Sequence, residues 1–381
     1  MLLSLLSHTI SGSDKYCHNF RHSRNNADDL FCELDHFSDL FCYCFHDRNK
    51  LLDHLGKLLH IAGCCFHELF ADAAALVRVA QVLDDLSDLA HDLLNLVVDL
   101  LHCVAPLAAA LAAKADVVLL CLGLDEIKES EGLDRADMKL ADNQIELLQA
   151  VQQANPNTVV VLSAGASLET PWLTHCKALV YGALGGQAGA GAMVDVLTGK
   201  VNPSGKLAES WAKAYSDTPA RDNFAGDGRT VQYREGLYVG YRYHQTAGVA
   251  PAYPFGFGLS YTTFAYADVK ATPQGVSLTV TNTGDREGAE IVQVYVAKPD
   301  AKIFRPAQEL KGFAKVQLAA GESKRVTVAL DDKAFRYWNT MTNAWEVEGG
   351  SYEVRVGASC EDIRLTAVVT VAGTGAPNPY E

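Results

Sequence analysis

The sequence predicts an α/β domain followed by an all-β sandwich, both preceded by a segment of different character. Between residues 117 and 181, apolar runs that end in loops flank one amphipathic helix, as in an α/β fold with a parallel sheet. After about residue 265 the hydrophobic period changes to two, which is typical of antiparallel strands. The first 105 residues differ from both parts in composition.

The length, net charge and composition of the chain already exclude several classes of protein. A chain of 381 residues has room for two or three domains. Its formal net charge of −14 argues against nucleic acid as a partner, because a nucleic-acid footprint requires a basic face. With 49% hydrophobic and 20% charged residues, the composition is that of a globular protein rather than a disordered one.

The sequence contains no signal for a membrane or for secretion. No apolar run approaches the roughly 18 residues needed to span a bilayer, so we expect no membrane association. Met1 to Ile10 is apolar but lacks a basic start and a cleavage pattern, which predicts a cytoplasmic location. Nothing in the sequence indicates an oligomeric state.

The first segment, residues 1–105, is rich in His and Cys and poor in turn residues. It holds ten of the twelve His and seven of the ten Cys, but three of the thirty Gly and no Pro. Apolar residues spaced by three and four between Ala71 and Leu101 predict one or two amphipathic helices. We expect the segment as a whole to be helical or poorly ordered.

Three interpretations of this segment stay open. His18 and His22 could share a helix face and bind a metal, but no C-x-x-C pair or H-E-x-x-H motif accompanies them. The His and Cys side chains could instead occupy ordinary buried or surface positions. The scarcity of Gly and Pro is also what an out-of-frame or opposite-strand translation would produce.

The α/β part begins after Ala115. Val117–Leu122 predicts a buried strand, Gln144–Ala154 a helix that ends at Asn155-Pro156-Asn157, and Thr158–Leu162 a second strand. This order implies parallel strands joined by a crossover, a fold that places its chemistry in loops at the carboxyl ends of strands. The charged loop 125–135 lies at such an end.

A third strand, Ala178–Tyr181, leads into the glycine-rich stretch 182–191 and a helix over Ala192–Leu197. The stretch has neither the Lys-Ser/Thr pair of a phosphate-binding loop nor the spacing of a dinucleotide fingerprint. We therefore interpret these glycines as packing residues and predict no nucleotide site.

The last hundred residues predict an antiparallel β-sandwich. The strand-like runs are short, β-branched and separated by glycine-containing turns; they are 277–282, 291–296, 325–330 and 352–356. Aromatic spacing predicts that Trp338 or Trp345 is largely buried there. Residues 221–264, which connect the two parts, are too long for a simple linker.

Aromatic side chains in the second and third parts have two interpretations. They could be platforms on which sugars stack, or they could pack between domains, and we favour packing. The residues are Trp172, Trp211, Tyr233, Tyr241 and Tyr243.

Five motifs, in this order, resemble those of the glycoside hydrolase family 3 β-glucosidases. They are ESEGLDR at 129–135, NPSGKL at 202–207, YREGLYVGYRY at 233–243, PFGFGLSYT at 254–262 and ELKGF at 309–313. The resemblance covers about residues 108–372. It implies a three-layer α/β sandwich over 106–264 and a fibronectin type III-like sandwich over 265–381.

In that family a barrel domain supplies an aspartate nucleophile from an S-D-W strand end. Residues 1–105 contain no Trp and are too few for a barrel, which needs roughly 200 to 250 residues. The resemblance therefore implies the C-terminal portion of such an enzyme, with the nucleophile domain absent from this chain.

The resemblance places the general acid/base at Glu131. A retaining glycosidase needs two carboxyl groups about 5 to 5.5 Å apart, and the family motif assigns one of them to this position. Glu129, Glu126 and Asp125 are competitors in the same loop. Asp134 and Arg135 are expected to form an ion pair that supports the loop. Two-carboxylate chemistry requires no metal and no organic cofactor, and we expect none.

The implied activity is hydrolysis of terminal β-linked glucosyl residues in an oligosaccharide or β-glucoside substrate by retaining double displacement. Without a nucleophile domain, we expect this chain alone to be inactive. The alternative is a non-catalytic carbohydrate-binding or scaffolding fragment.

Overall fold

A computed structural model describes residues 104–380, apart from residues 225 and 227. The predicted helices between Ala71 and Leu101 and the possible metal ligands His18 and His22 lie outside the described residues. No helix within the described residues is long and apolar enough to cross a membrane. The described chain divides into two compact units, each composed of several stretches of sequence.

The first unit comprises the described residues up to Gly123, together with Ala141–Leu162 and Trp172–Tyr181. Its strands form a three-stranded sheet in the order β1-β2-β3. Its elements are a helix over 104–112 (α1), β1 (Val118–Gly123), α2 (Asp142–Ala154), β2 (Thr158–Ser163), a 3₁₀ helix (Pro171–His175) and β3 (Ala178–Tyr181). The three strands and the long helix that the sequence predicts are confirmed within one or two residues.

The sheet is parallel throughout. Strand β2 pairs in parallel with β3, in a register that places Val160 opposite Leu179. The amide of Val118 donates to the carbonyl oxygen of Asn157, and that of Leu124 to the carbonyl oxygen of Ser163. Because both bonds have the same residue offset, β1 and β2 also run in the same direction.

Asn155 explains why α2 ends where the sequence predicts. Its side chain is buried, and its Nδ2 donates to the carbonyl oxygens of Ala112 and Ala115 at 2.9 and 2.6 Å. Its Oδ1 accepts from the amide of Asn157 at 2.9 Å. A buried amide with all these partners joins the end of α1 to the end of α2.

The second unit contains Leu124–Leu140, Ser163–Pro171 and the rest of the chain from Gly182. It includes the helices α3 (Gly189–Leu197) and α4 (Tyr241–Ala247) and the sandwich. Helix α3 begins three residues before the start that the sequence predicts, so its first residues belong to the glycine-rich stretch 182–191.

The sandwich consists of the sheets β12-β11-β6-β7 and β4-β5-β8, with the separate hairpin β9-β10. Valines and leucines that alternate along β5 and β6 fill its core, for example Val276, Leu278 and Val294. The strands are β4 (Phe264–Thr272), β5 (Gly275–Asn282), β6 (Gly288–Ala297), β7 (Glu309–Leu318), β8 (Ser323–Ala329), β9 (Arg336–Asn339), β10 (Ala344–Val347), β11 (Gly350–Gly357) and β12 (Ile363–Val371). The predicted antiparallel sandwich is confirmed.

The prediction of a buried Trp338 or Trp345 is wrong. These residues are cross-strand partners in the β9-β10 hairpin, with ring centroids 5.5 Å apart in an edge-to-face arrangement. Their relative exposures are 46% and 59%. The hairpin belongs to neither large sheet, so one of its faces remains in solvent, and Phe335 just before it fills the core instead.

Strand β6 is buried on both of its faces because residues 202–262 cover its outer one. The Nε2 of Gln293 donates to the carbonyl oxygen of Gly256 at 3.0 Å. The ring of Tyr295 meets the edge of Tyr241, which also stacks on Phe255 with centroids 4.8 Å apart. The connecting stretch is therefore an integral part of the packing around the sandwich.

Asn202, in the NPSGKL motif, makes a second attachment to the sandwich. Its Nδ2 donates to the carbonyl oxygen of Glu287 at 3.0 Å. Its Oδ1 accepts from the Ser260 hydroxyl at 2.9 Å and from the Tyr261 amide at 2.8 Å. Through Asn202, this motif is attached to the sandwich.

Candidate active-site loop

The loop Leu124–Leu140 directly follows β1, at the carboxyl edge of the parallel sheet where the sequence predicts chemistry. It begins with a tight turn organised by Asp125. The Oδ1 of Asp125 accepts from the amides of Ile127 and Lys128 at 3.1 and 2.8 Å. The backbone oxygen of Asp125 accepts from the Glu129 amide at 3.0 Å. Asp125 is thus committed to the turn.

Lys128 closes the base of the loop. Its Nζ lies 3.0 Å from Oδ1 of Asp137 and donates to the carbonyl oxygen of Lys139 at 3.1 Å. Asp137 also accepts from the amide of Lys139 at 2.8 Å. That backbone hydrogen bond and the Lys128 ammonium lower the pKa of the Asp137 carboxyl, which keeps it ionised.

Two further bonds attach the loop to the segment after β2. Oε1 of Glu129 accepts from the amide of Gly165 at 2.7 Å. The amide of Glu169 donates to the carbonyl oxygen of Met138, also at 2.7 Å. The loop is therefore held near both of its ends.

Glu131 lies on the exposed span between these two attachments. Its carboxylate makes no hydrogen bond or ion pair with any other described residue, and the side chain faces solvent. Gly132 follows with a φ of +77°, a conformation that favours glycine, and so turns the chain directly after Glu131. A carboxyl group placed this way is free to meet a substrate.

Glu129 and Glu126, the other glutamates of the loop, differ from Glu131. The carboxylate of Glu129 is occupied by Gly165. Glu126 is exposed like Glu131, but its backbone oxygen accepts from the Ser130 hydroxyl at 2.6 Å inside the turn. Only Glu131 combines an uncommitted carboxylate with a place beyond the turn, among the glutamates of this loop.

Asp134 and Arg135 do not form the predicted ion pair within the described residues. Asp134 is exposed, whereas Arg135 is half-buried and its Nη1 is buried without a hydrogen-bond partner. Their part in supporting the loop stays a prediction.

The aromatic residues follow the packing interpretation in most cases. Trp172 and Trp211 are buried, and Trp211 meets the edge of Tyr253 with centroids 5.8 Å apart. Tyr241 packs against the sandwich as described above, and Tyr243 is half-buried. Tyr233 is the exception, because 87% of it is exposed.

Among the residues that the structure describes, no group of three or more His, Cys, Asp or Glu could hold a metal ion.

Comparison with known families identifies both parts of the described chain. Residues 78–261 match the glycosyl hydrolase family 3 C-terminal domain, and residues 290–360 match the fibronectin type III-like domain. The chain carries the C-terminal domain of glycosyl hydrolase family 3. This family 3 match includes residues 78–105, which the change in composition assigns to the first segment.

Relatives of the family 3 domain have both glucosidase and arabinopyranosidase names. The thermostable β-glucosidase B of Acetivibrio thermocellus is 45% identical over 275 residues, 70% of this chain and 36% of that protein. An exo-α-(1→6)-L-arabinopyranosidase of Bifidobacterium breve is 47% identical over 278 residues, 71% of this chain and 37% of that protein. The chain thus spans about a third of the length of these relatives.

Solved structures of family 3 proteins share the fold. A β-glucosidase from Bifidobacterium adolescentis has a TM-score of 0.70 at 48% identity, over 73% of this chain and 42% of that one. The β-glucosidase from Kluyveromyces marxianus in complex with glucose has a TM-score of 0.68 at 44% identity, over 70% of this chain and 33% of that one. These likenesses confirm an α/β domain followed by a fibronectin type III-like sandwich.

Proposed function

We propose that this chain supplies the general acid/base of a retaining, β-glucosidase-type glycoside hydrolase, and that Glu131 is that residue. The substrate is a terminal β-linked glucosyl residue of an oligosaccharide or glycoside. The carboxylate nucleophile comes from a family 3 barrel domain, so the chain without such a domain does not turn over substrate. The family 3 domain match and the names of the relatives support the class of reaction.

The observation that carries this proposal is the position of Glu131. A group that first gives a proton to the leaving oxygen and then takes one from water must reach a sugar held elsewhere. Glu131 stands on an exposed span that is held near both ends, and its carboxylate has no partner among the described residues. A loop on a rigid scaffold is a common place for such a residue.

The chemistry takes two steps. In the first, the barrel carboxylate attacks the anomeric carbon while protonated Glu131 gives its proton to the departing glycosidic oxygen. In the second, ionised Glu131 removes a proton from water as that water displaces the carboxylate. The two displacements leave the anomeric configuration unchanged.

The test uses the full chain fused behind a family 3 barrel domain. Glu131→Gln keeps the shape of the side chain but cannot donate the proton, so hydrolysis of glycosides with poor leaving groups falls by about 10² to 10⁴. Glycosides with good leaving groups still react in the first step, and the glycosyl-enzyme accumulates as a burst. Azide, which needs no deprotonation, restores turnover and gives the β-glycosyl azide.

Glu126→Gln is the matched control, because it makes the same change on another exposed side chain of the loop. It should retain parent rates. If Glu131→Gln hydrolyses poor substrates like the parent, the assignment is wrong. If the fusion of the unaltered chain releases no sugar, the alternative of a non-catalytic carbohydrate-binding or scaffolding chain is favoured.

A second candidate substrate is an α-L-arabinopyranoside, favoured by the 47% identity to the Bifidobacterium breve arabinopyranosidase. The same fusion, assayed with aryl β-glucoside and aryl α-L-arabinopyranoside, distinguishes the two.

A further inference from the structure

One residue, Ser130, separates Glu129 from the proposed acid/base Glu131, and the Glu129 carboxylate links the loop 124–140 to the segment that follows β2. Oε1 of Glu129 lies 2.7 Å from the amide nitrogen of Gly165, which is 36 residues further along the chain. A hydrogen bond between a carboxylate and a backbone amide is charge-assisted, so it is stronger than a bond between neutral groups.

The surroundings of Gly165 fit this bond closely. A Cβ at Gly165 would lie 2.9 Å from Cδ1 of Leu184 and 3.0 Å from Oε1 of Glu129. Glycine at this position therefore lets the Glu129 carboxylate and the Leu184 side chain approach the backbone together. The space available to the carboxylate is narrow.

The segment 163–171, whose Gly165 binds Glu129, has hydrogen bonds of its own to other parts of the chain. The amide of Ser167 donates to Oε1 of Glu209 at 3.0 Å, and Oε1 of Glu169 accepts from the amide of Tyr215 at 2.7 Å. Glu129 thus connects the loop 124–140, which carries the proposed acid/base and is called the acid/base loop below, to a segment that has its own hydrogen-bonded attachments.

Beyond Glu131, the loop is held at Met138, whose carbonyl oxygen accepts from the Glu169 amide, and at Asp137, which pairs with Lys128. The exposed span between Glu129 and Asp137 is short, and Glu131 lies near the Glu129 end of it. Loss of the Glu129 attachment would release this end of the span from Gly165, while the turn bonds of Glu129 and Ser130 and the Lys128–Asp137 closure would remain.

We propose that Glu129 is a positioning residue that fixes where Glu131 presents its carboxyl group. This inference rests on the proposed function of Glu131. A general acid works within hydrogen-bond reach of its proton acceptor, and a displacement of about 1 Å can reduce a rate by about 10². Glu129 acts through Glu131 and need not touch the substrate.

The kinetic test compares variants of the full chain fused behind a family 3 barrel. Glu129→Ala should lower kcat for glycosides with poor leaving groups at least about tenfold and leave the release of good leaving groups within about twofold. Glu129→Gln retains an oxygen that can accept from Gly165, so it should recover most of the loss. Glu126→Ala removes an exposed carboxylate of the same loop that has no part in this bond, and it should match the parent.

A variant that only unfolds part of the protein would slow all substrates equally, which would overturn the proposal. A second measurement uses the chain without a barrel: hydrogen exchange at the Gly165 amide should accelerate in Glu129→Ala and not in Glu126→Ala. Unchanged exchange in Glu129→Ala would show that the bond is absent in solution and would also overturn it.

A double-mutant cycle separates this inference from the proposed function. In the Glu131→Gln background, Glu129→Ala should cause no further loss with poor leaving groups, because the group that it positions can no longer donate. A loss that simply multiplies would contradict the positioning role. If Glu131→Gln has no effect while Glu129→Ala does, the proposed function fails rather than the attachment.

Discussion

Lys206 and Glu290 form an ion pair that is almost closed to solvent. Nζ of Lys206 lies 3.5 Å from Oε2 of Glu290, and the side chains are 12% and 4% exposed. Nζ also donates to the carbonyl oxygen of Gly258 at 2.8 Å, and Oε1 of Glu290 accepts from the Tyr266 hydroxyl at 2.9 Å. Burial and the Glu290 carboxylate raise the pKa of Tyr266, so its hydroxyl remains a donor. The pair joins the NPSGKL motif to strand β6.

Lys206→Met should destabilise the second unit strongly. It leaves the Glu290 carboxylate buried without its counter-ion, and breaking a buried pair in this way costs about 3 to 5 kcal/mol. The measurement is the midpoint of urea unfolding, followed by circular dichroism.

Lys200→Met provides the control for Lys206→Met. Lys200 pairs with Asp195 at 2.9 Å, but its side chain is 72% exposed, so the loss should be below about 1 kcal/mol. Equal effects of the two substitutions would contradict the importance of burial.

Trp338→Ala and Trp345→Ala should each cost about 0.5 to 1.5 kcal/mol, and the double variant should show that their contributions are coupled. The reason is that the two exposed rings gain mainly from their contact with each other. Phe335→Ala, in the buried core next to them, should cost about 3 to 5 kcal/mol. Thermal unfolding of the four variants checks this order, and a loss at either Trp as large as that at Phe335 would show that the hairpin face is covered.

Cys360 should make the protein less stable at alkaline pH. Burial raises the pKa of its thiol to about 12, above the ordinary value of about 8.5. The stabilisation is complete below the ordinary value and declines as pH rises toward 12, since the unfolded chain loses its proton first. The slope from this one group is about 1.4 kcal/mol per pH unit.

Cys360→Ser isolates this contribution of the thiol. The backbone oxygen of Cys360 accepts from Gln245 and Gln308, and these bonds survive the substitution. The difference in unfolding free energy between parent and variant should be constant below pH 8 and shrink above pH 9. A constant difference up to pH 11 would argue against a protonated thiol in the folded state.

Gly165→Ala should loosen the acid/base loop, because the new Cβ competes with Oε1 of Glu129 and Cδ1 of Leu184. Trypsin should then cleave after Arg135 severalfold faster than in the parent, as read by mass spectrometry of the fragments. Gly205→Ala is the control, since a Cβ there has no atom within 4 Å. The same cleavage rate in both variants would count against the crowding at Gly165.

The sequence predicts the strands of this protein well and the links between its loops poorly. The run Thr158–Leu162 locates β2 because a strand buried in a parallel sheet is an almost uninterrupted apolar stretch. The period of two locates β5 because only one face of that strand is buried in the core. Glu131 could be singled out through the family motif, which also covers the residues on both sides.

The partner of Glu129 could not be foreseen, because Gly165 contributes a backbone amide and any non-proline residue has one. Asp134 and Arg135 illustrate the opposite case: opposite charges adjacent in sequence suggest a pair, yet Asp134 is exposed while Arg135 is half-buried with Nη1 unpaired. For Trp338, the pattern identifies the strand but not whether anything covers that face of it.

Gln293 limits how the sandwich can be exchanged during evolution. Its Nε2 donates to the carbonyl oxygens of Gly256 and Ala358, and its Oε1 accepts from the Tyr295 hydroxyl at 2.6 Å. A recombination that brought in a foreign sandwich without matching residues around Gly256 would leave a buried side-chain amide without hydrogen-bond partners. The cost in unfolding free energy would be about 1 to 3 kcal/mol. We therefore expect residues 202–262 and the sandwich to be inherited together. Crossover points should be tolerated before residue 202 rather than at the start of β4.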